Sequence, residues 1–374
     1  MRHRHTGVGG YYRRRGVGDE SATARHQAHR VRARRSWRAR RWAVIAYAPV
    51  KRASAALVGF VAASTLAAEA SAQSVPGLGW ALDRFDPAPA GDGMLIAEHP
   101  RYARAWDMAA SLALEYAVRP LELRRQFADT HIERRDVVAG MFVGQATVAG
   151  SFVGRVGVDL SLPLSLVQTG EPALLGSVVL APADSVVLGD VRLGARVRLF
   201  GRAGTSPISL HAGVWVWLPT GSRKGNTSDG AARVEPRVIV AGTAGLVRWS
   251  LTTAVLVRRE VEGLNLAVNH ELRFTGGVTF GLVGGRVRLG PEFYVFTPLA
   301  SLPDRAGSAV FASGQWGMEA LLGGHVGLGA GLTASLGGGF GIERGGGVPA
   351  GRVIATLTWR GAPSRNETPE PAGP

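Results

Sequence analysis

A long alternation of apolar and polar residues over 266–282 constrains the fold of this chain more than any other feature. Along LAVNHELRFTGGVTFGL, every second residue from Leu266 is apolar or glycine apart from His270, and the residues between are polar or small. Successive side chains of a β-strand point to opposite faces, so the pattern predicts a strand with one apolar and one hydrophilic face. The stretch is far longer than the roughly 5–6 residues of an ordinary strand, and it suits a wall between lipid and water.

The alternation recurs along the chain and predicts about twelve strands, an even number as expected for a single-chain barrel. The clearest further members are 106–118, 155–166 and 189–199. Weaker members are 208–218, 247–258, 286–296, 315–322, 326–336 and 352–359, and two are placed mainly by spacing, 137–148 and 234–243.

The predicted connections between these strands alternate in length. Long or polar segments are followed by short glycine-containing ones near 149–151, 201–207, 244–246, 283–285 and 323–325. Outer-membrane barrels have long loops outside and tight turns in the periplasm. The chain is therefore predicted to be all-β, an antiparallel up-and-down transmembrane β-barrel over 105–360. A soluble β-sandwich is the alternative, since its strands also alternate.

The net charge of +15 is concentrated in the leader and does not predict a nucleic-acid partner. Residues 1–52 hold 15 Lys and Arg residues against only Asp19 and Glu20. The rest of the chain is only weakly basic. The absence of cysteine excludes disulfides and thiolate metal sites.

Residues 50–72 have the three parts of a secretory signal peptide. Lys51-Arg52 is followed by an apolar stretch and by Ala70-Ser71-Ala72, which predicts cleavage after Ala72. Residues 1–49 form a basic N-terminal extension; we hypothesise a mis-assigned start with translation from Val50, and a genuine basic tail is the alternative. Residues 73–104 are expected to be a periplasmic N-terminal segment, and 361–374 a disordered Pro-rich tail.

Three phrases carry a resemblance to a known family. They are GLGWALDRFDPAPAGD at 77–92, GDVRLGARVRL at 189–199 and VWLPTG at 216–221. Together they resemble the barrel portion of OmpA-type outer-membrane proteins, over roughly residues 75–360. The resemblance implies an outer-membrane location. Such proteins commonly carry a peptidoglycan-binding domain after the barrel, but only a short polar tail follows Trp359 here, so this chain does not support peptidoglycan contact.

Motifs for catalysis or cofactor binding are missing from the sequence. It contains neither G-x-S-x-G nor H-E-x-x-H, and its histidines beyond the leader are scattered. We therefore predict no enzymatic activity, no cofactor and no metal site.

Charged residues on the predicted inward faces are the candidate site. The candidate lumen-lining residues are Arg155, Asp159, Arg192, Arg196, Arg198, Arg248, Arg258, Glu271, Arg273, Arg286, Arg288, Glu292, Glu319 and Arg352, with Asp190 as a further inward acid. Two interpretations remain open. The charges could pair and fill a closed or narrow interior, or the arginine excess could line an open pore and favour anions.

The predicted function is passive, as a small porin-like pore or as a structural component of the outer membrane. The expected partners are outer-membrane lipid and small solutes. The alternative function is that of a secreted soluble β-rich binding protein.

Overall fold

The computed structural model describes residues 79–102, 106–126, 132–175, 178–260, 269–299, 310–312 and 314–361. The basic extension 1–49, the signal peptide 50–72 with its Ala72 site, and the tail beyond 361 lie outside these residues. The same holds for 266–268, the beginning of the stretch with the longest alternation.

Fifteen strands are present in the described part of the chain, and twelve of them build a closed antiparallel barrel. The barrel strands are β1 (Trp106–Gln126), β2 (Ile132–Phe152), β3 (Val156–Thr169), β7 (Val191–Phe200), β8 (Ser209–Leu218), β9 (Arg233–Ala244), β10 (Val247–Leu256), β11 (Glu271–Leu282), β12 (Val287–Pro298), β13 (Gly317–Gly329), β14 (Leu332–Glu343) and β15 (Gly351–Arg360). The short strands β4 (Ala173–Leu175), β5 (Val178–Leu180) and β6 (Val187–Leu188) lie between β3 and β7.

Pairing between the first and last strands closes the barrel. Each barrel strand pairs with its neighbours in the chain, and β1 also pairs with β15, for example Leu112 with Leu357. The prediction of an all-β, antiparallel, twelve-stranded barrel is confirmed.

Helical structure is limited, in the described ranges, to one 3-10 turn at Val283–Gly285. Within those ranges there is no helix of the length and apolarity needed to cross a membrane.

The two ends of the barrel differ in the length of their connections. At one end, called the short-turn end, tight connections join the strands at 153–155, 201–208, 245–246, 283–286 and 330–331. At the other, called the long-loop end, the connections include 219–232 and 344–350, and β4 to β6 lie within another. The alternation predicted from the sequence is therefore present in the fold.

The wall has an apolar outer face and a polar inner face. In β1, Leu112, Leu114 and Tyr116 are exposed on the outside while Glu115 is buried on the inside. The same division holds in β3, where Leu160 is exposed and Asp159 is buried. Alternate side chains of one strand therefore face two different environments, as the sequence pattern predicted.

Several strand boundaries differ from the prediction. β11 begins at Glu271, so the described strand is shorter than the alternating stretch. The predicted turn at 323–325 lies inside β13, and the real turn is at Ala330–Gly331. Glycines occur at both places, but only the real turn has positive φ angles, 48° at Ala330 and 78° at Gly331. Backbone conformation, which glycine content alone does not specify, decides where the chain reverses.

Candidate functional site

Residues 79–102 lie inside the barrel; we call them the inner segment. At its beginning, the backbone N–H of Ala81 donates to Asp229 in a connection at the long-loop end, over 3.0 Å. At its end, Tyr102 stacks on His211 of β8, two residues beyond the start of that strand at the short-turn end, with 5.5 Å between ring centroids. The segment therefore runs through the lumen. This corrects the expected periplasmic segment 73–104 for its described part.

Ion pairs hold the first part of the inner segment to the wall. Arg84 donates to Glu271 of β11 over 2.8 Å, and Arg258 donates to the same carboxylate over 2.9 Å. Arg258 also pairs with Asp229. Because buried charges are stable only when paired, the wall and the segment satisfy each other here.

The pKa of Asp229, in the connection 219–232, is shifted. Burial by itself raises the pKa of the Asp229 carboxyl, but the guanidinium groups of Arg258 and Arg233 outweigh it and hold that pKa below its ordinary value of 3.8. Asp229 therefore stays ionised where it holds Ala81.

A second contact site surrounds Asp86 and Pro87. Arg192 of β7 lies 3.6 Å from the Asp86 carboxylate and donates to the carbonyl of Pro87 over 3.0 Å. Its guanidinium also covers the ring of Trp215 at 3.8 Å. From the other side, Arg273 lies 3.4 Å from Asp86.

Acids of the last part of the segment pair with arginines of β7 and β9. Arg196 donates to Asp92 over 2.7 Å, and Arg237 pairs with Glu98. Arg196 also lies 3.6 Å from Glu98. All four side chains are buried.

Glu292 of β12 binds the backbone of the segment. Its carboxylate accepts hydrogen bonds from the N–H groups of Leu95, Ile96 and Ala97 over 2.9, 2.8 and 2.9 Å. One wall side chain thus satisfies three backbone donors that have no sheet partner in the lumen.

Another charged cluster lies on β1, β12, β13 and β15. Arg352 donates to Glu115 over 2.7 Å, to Glu319 over 3.0 Å and to Asp83 of the inner segment over 3.1 Å. Tyr294 donates its hydroxyl to Glu319 over 2.7 Å. Acids from both the wall and the segment therefore bind this arginine.

An apolar cluster covers the long-loop end of the inner segment. Trp80 and Leu82 pack in one cluster with Leu121 and Val138 of the extended β1–β2 hairpin and with Leu180 of β5. Trp80 and Leu82 are each only 1% exposed. The segment is therefore buried beneath this hairpin as well as inside the wall.

Little space remains around most of the inner segment. Three cavities along it have volumes of about 30, 60 and 20 Å³, which is room for a few water molecules. A fourth, of about 260 Å³, lies towards the short-turn end. The structure is that of a filled barrel with one larger pocket.

The structure brings most of the candidate lumen residues together. Those buried inside the barrel are Asp159, Asp190, Arg192, Arg196, Arg258, Glu271, Glu292, Glu319 and Arg352. Those half-buried on inward-facing positions are Arg198, Arg248, Arg273 and Arg288.

Arg155 and Arg286 are corrections to the predicted set. Both are exposed and lie in turns at the short-turn end, directly before β3 and β12. The alternation places them on the inward face, but each strand starts one residue later. Beyond the end of a strand, the face of a residue is no longer fixed by alternation.

The sequence analysis missed the charges of the inner segment itself. These are Asp83, Arg84, Asp86, Asp92 and Glu98. The sequence did contain a signal for these acids, because the wall was predicted to carry more arginines than acids and therefore needed acidic partners. Acids elsewhere in the chain were the available partners. Also missed, on the wall and in one connection, were Glu115, Asp229, Arg233, Glu235 and Arg237.

Two tryptophans on the inward face of β8 are explained by the same arginines. Trp215 and Trp217 are 5% and 3% exposed, and their rings lie under Arg192 and Arg233 respectively. Their inward position is therefore explained by the cation–π contacts that they make in the lumen.

In the part of the chain that the structure describes, no three His, Asp or Glu side chains are grouped as metal ligands.

Several solved structures have a similar fold. An outer membrane channel from Pseudomonas putida F1 matches 73% of this chain and 98% of its own, with 10% identity and a TM-score of 0.47. The NanC porin matches 67% of this chain and 98% of its own, with 8% identity and a TM-score of 0.40. The translocator domain of the autotransporter NalP from Neisseria meningitidis matches 69% and 88%, with 10% identity and a TM-score of 0.36.

No family model matches the chain, and no curated protein matches it.

Proposed function

We propose that this chain is an outer-membrane barrel that acts as a channel closed at rest by its own inner segment. The observation that carries the proposal is the filling of the lumen. The twelve-stranded wall leaves room for a separate stretch of 24 residues, 79–102, and that stretch occupies it. Barrels with fewer strands fill with their own side chains, whereas this wall is wide enough to hold a passage.

The outer surface supports a membrane location. Large apolar side chains are exposed on strand after strand, for example Leu160 at 42%, Phe280 at 49% and Leu357 at 50%. Soluble proteins rarely expose so much contiguous apolar surface, and lipid is the partner that such a belt fits. Trp106 and Trp359 are exposed near the short-turn end, where interfacial aromatic residues are expected.

The contacts between the inner segment and the wall support a channel. The inner segment is held in the lumen by many ion pairs and hydrogen bonds, as well as by apolar contacts of Phe85, Leu95 and Ile96, and it is not a strand of the sheet. Such contacts can be exchanged for water and ions when the segment moves. Passage of small solutes is therefore part of the proposal, and enzymatic activity is not.

The resemblance to OmpA-type proteins belongs to this proposal as well. In this fold the LDRFDPAPAGD phrase is the first part of the inner segment, with Arg84, Asp86 and Asp92 paired to the wall. We propose that the phrase is a lumen-filling motif of this type of barrel.

A second candidate is a permanently closed structural barrel. It is favoured by the depth at which the ion pairs are buried and by the apolar cluster over Trp80 and Leu82. The two candidates differ in whether the barrel conducts when the segment is loosened.

Planar-bilayer recordings test the proposal. The wild-type chain is expected to show rare and brief openings, and deletion of residues 80–100 a steady conductance. A double variant, Asp92→Asn with Glu98→Gln, removes two acids that pair with Arg196 and Arg237 and is expected to open at least several-fold more often.

The control carries the same change of charge at exposed positions. Asp184→Asn with Glu171→Gln lies in the loop region after β3, and its recordings should match the wild type. A folded deletion variant that does not conduct would overturn the channel. A wild type that conducts as steadily as the deletion would overturn closure by the inner segment.

A further inference from the structure

The cavity of about 260 Å³ at the short-turn end has an unusual lining. Four arginines reach it, Arg101, Arg248, Arg288 and Arg360, together with His325. Its lining contains no Asp or Glu side chain. Hydroxyl groups complete its polar surface, from Ser111, Ser335, Thr333, Thr356 and Thr358. We call this cavity the basic pocket.

Three of its arginines lack a carboxylate partner. Arg360 pairs with Asp107. Among the residues that the structure describes, neither a hydrogen bond nor an ion pair satisfies the guanidinium of Arg101, Arg248 or Arg288, and the buried Nε of Arg101 has no partner. Arginines elsewhere in the lumen, such as Arg196 and Arg352, pair with one or more acids.

The unpartnered groups lie close to one another. The guanidinium groups of Arg101, Arg248, Arg288 and Arg360 are near enough for mutual repulsion, which Asp92 and Asp107 partly offset at Arg101. A Cβ built on Gly93 would lie 3.7 Å from Nη1 of Arg248, so that side chain reaches the inner segment. Like charges gathered in a partly desolvated place raise the free energy unless a counter-charge joins them.

The Glu292 carboxylate does not supply that charge. Glu292 lies 3.8 Å from His325, but both of its oxygens accept backbone N–H groups of the inner segment. Asp92 is paired with Arg196 and Asp107 with Arg360, so the remaining counter-charge must come from outside the pocket.

The pocket is reachable from the short-turn end. Its lining includes Gly329 and Gly331, both exposed at the turn between β13 and β14. Its volume exceeds that of several waters at about 30 Å³ each, and is enough for a small ion with part of its hydration shell.

We propose that the basic pocket binds a small polyvalent oxyanion of the phosphate type. The planar fork of arginine matches the oxygens of such an anion, and charge-assisted hydrogen bonds to it are about twice as strong as neutral ones. The hydroxyl groups of the pocket donate to the remaining oxygens. The site requires the inner segment to be in place, because Arg101 and Gly93 belong to it, and it does not require the barrel to open.

Isothermal titration of the purified full chain in detergent with inorganic pyrophosphate, at constant ionic strength, tests the site. The wild type is expected to bind one pyrophosphate in a saturable manner. The double variant Arg248→Gln with Arg288→Gln should bind at least about tenfold more weakly, a loss of about 1.4 kcal/mol or more.

The matched control removes two arginines from the same end of the barrel. Arg155→Gln with Arg286→Gln changes the net charge equally, but both residues are exposed in turns outside the pocket. The control should bind within about twofold of the wild type, and the altered gel mobility on heating should show that every variant is folded. Absence of saturable binding by the wild type, or an equal loss in both double variants, would overturn the proposal.

Discussion

At the scale of the residue, single buried acids organise long stretches of backbone. Glu292 shows this most clearly, because three consecutive N–H groups of the inner segment share its carboxylate. Glu271 does the same for side chains, since it accepts from Arg84, Arg258 and Arg273. Each of these acids joins the wall to a part of the chain that the sheet does not hold.

Replacing Glu292 by glutamine should weaken the fold measurably. One oxygen is exchanged for an NH2 group that faces backbone donors, so at least one buried N–H loses its acceptor, at a cost of about 1–3 kcal/mol. Urea unfolding followed by tryptophan fluorescence measures the loss. Glu171→Gln, at an exposed position, is the control and should change stability by less than about 0.5 kcal/mol. Equal stability of the two variants would contradict the role given to Glu292.

The residue scale is also where sequence analysis succeeds and fails most visibly. Alternation places Asp159, Arg192 and Glu319 on inward positions because a strand fixes the direction of every side chain. It cannot place Asp92 or Glu98, because the inner segment has no periodic structure from which a direction could be read. Their partners on β7 and β9 lie about a hundred residues or more away along the chain.

At the scale of the element, strands were more predictable than the connections between them. The bounds of β8, β9 and β12 lie within two residues of the predicted 208–218, 234–243 and 286–296. The turn between β13 and β14 was misplaced because glycine and alanine occupy both the strand and the turn. The β1–β2 hairpin is longer than predicted on both strands, since beyond the barrel it follows its own apolar cluster and not the wall pattern.

The connection 219–232 should make the anchoring of the inner segment sensitive to acid. Because the pKa of Asp229 is lower in the folded chain than its ordinary value of 3.8, its ionised form stabilises the fold fully above that value. The stabilisation is lost as the pH falls through the folded-state pKa. The difference in thermal midpoint between wild type and Asp229→Asn should therefore be constant from about pH 7 to 5 and shrink below about pH 4.

Asp184→Asn is the control for this experiment, because Asp184 is exposed in the preceding connection. Its thermal midpoint should follow that of the wild type at every pH. A difference between wild type and Asp229→Asn that stays constant down to about pH 3 would contradict the assignment.

At the scale of the whole molecule, the charges of the wall and of the inner segment form one system. The wall carries most of the buried arginines, and the inner segment contributes Asp83, Asp86, Asp92 and Glu98 to them. Neither part could bury its charges alone at acceptable cost. The question that the sequence left open, between a filled interior and an arginine-lined pore, is answered in this structure by a third element that supplies the missing acids.

The arginines of the basic pocket are not paired with acids of the inner segment in this way. No acid of the inner segment forms an ion pair with Arg101, Arg248 or Arg288 among the described residues, and the lumen widens around them. The pocket thus marks the part of the interior that is open to a soluble partner.

Disulfide formation between the inner segment and the wall tests the central claim, that residues 79–102 lie inside the barrel. A Cβ built on Gly277 of β11 would lie 3.1 Å from the Cβ of Ala97, close to the roughly 3.5–4.5 Å of a disulfide. The chain has no native cysteine, so a double variant has no competing thiols. The control pairs Ala97→Cys with Gly245→Cys, at a turn position where a Cβ has no neighbour within 4 Å.

After mild oxidation of the folded protein in detergent, Ala97→Cys with Gly277→Cys should form an intramolecular disulfide that shifts the unfolded chain on a non-reducing gel. The control pair should remain reduced. A folded Ala97→Cys, Gly277→Cys barrel in which both thiols stay free and react with a water-soluble maleimide would contradict the account.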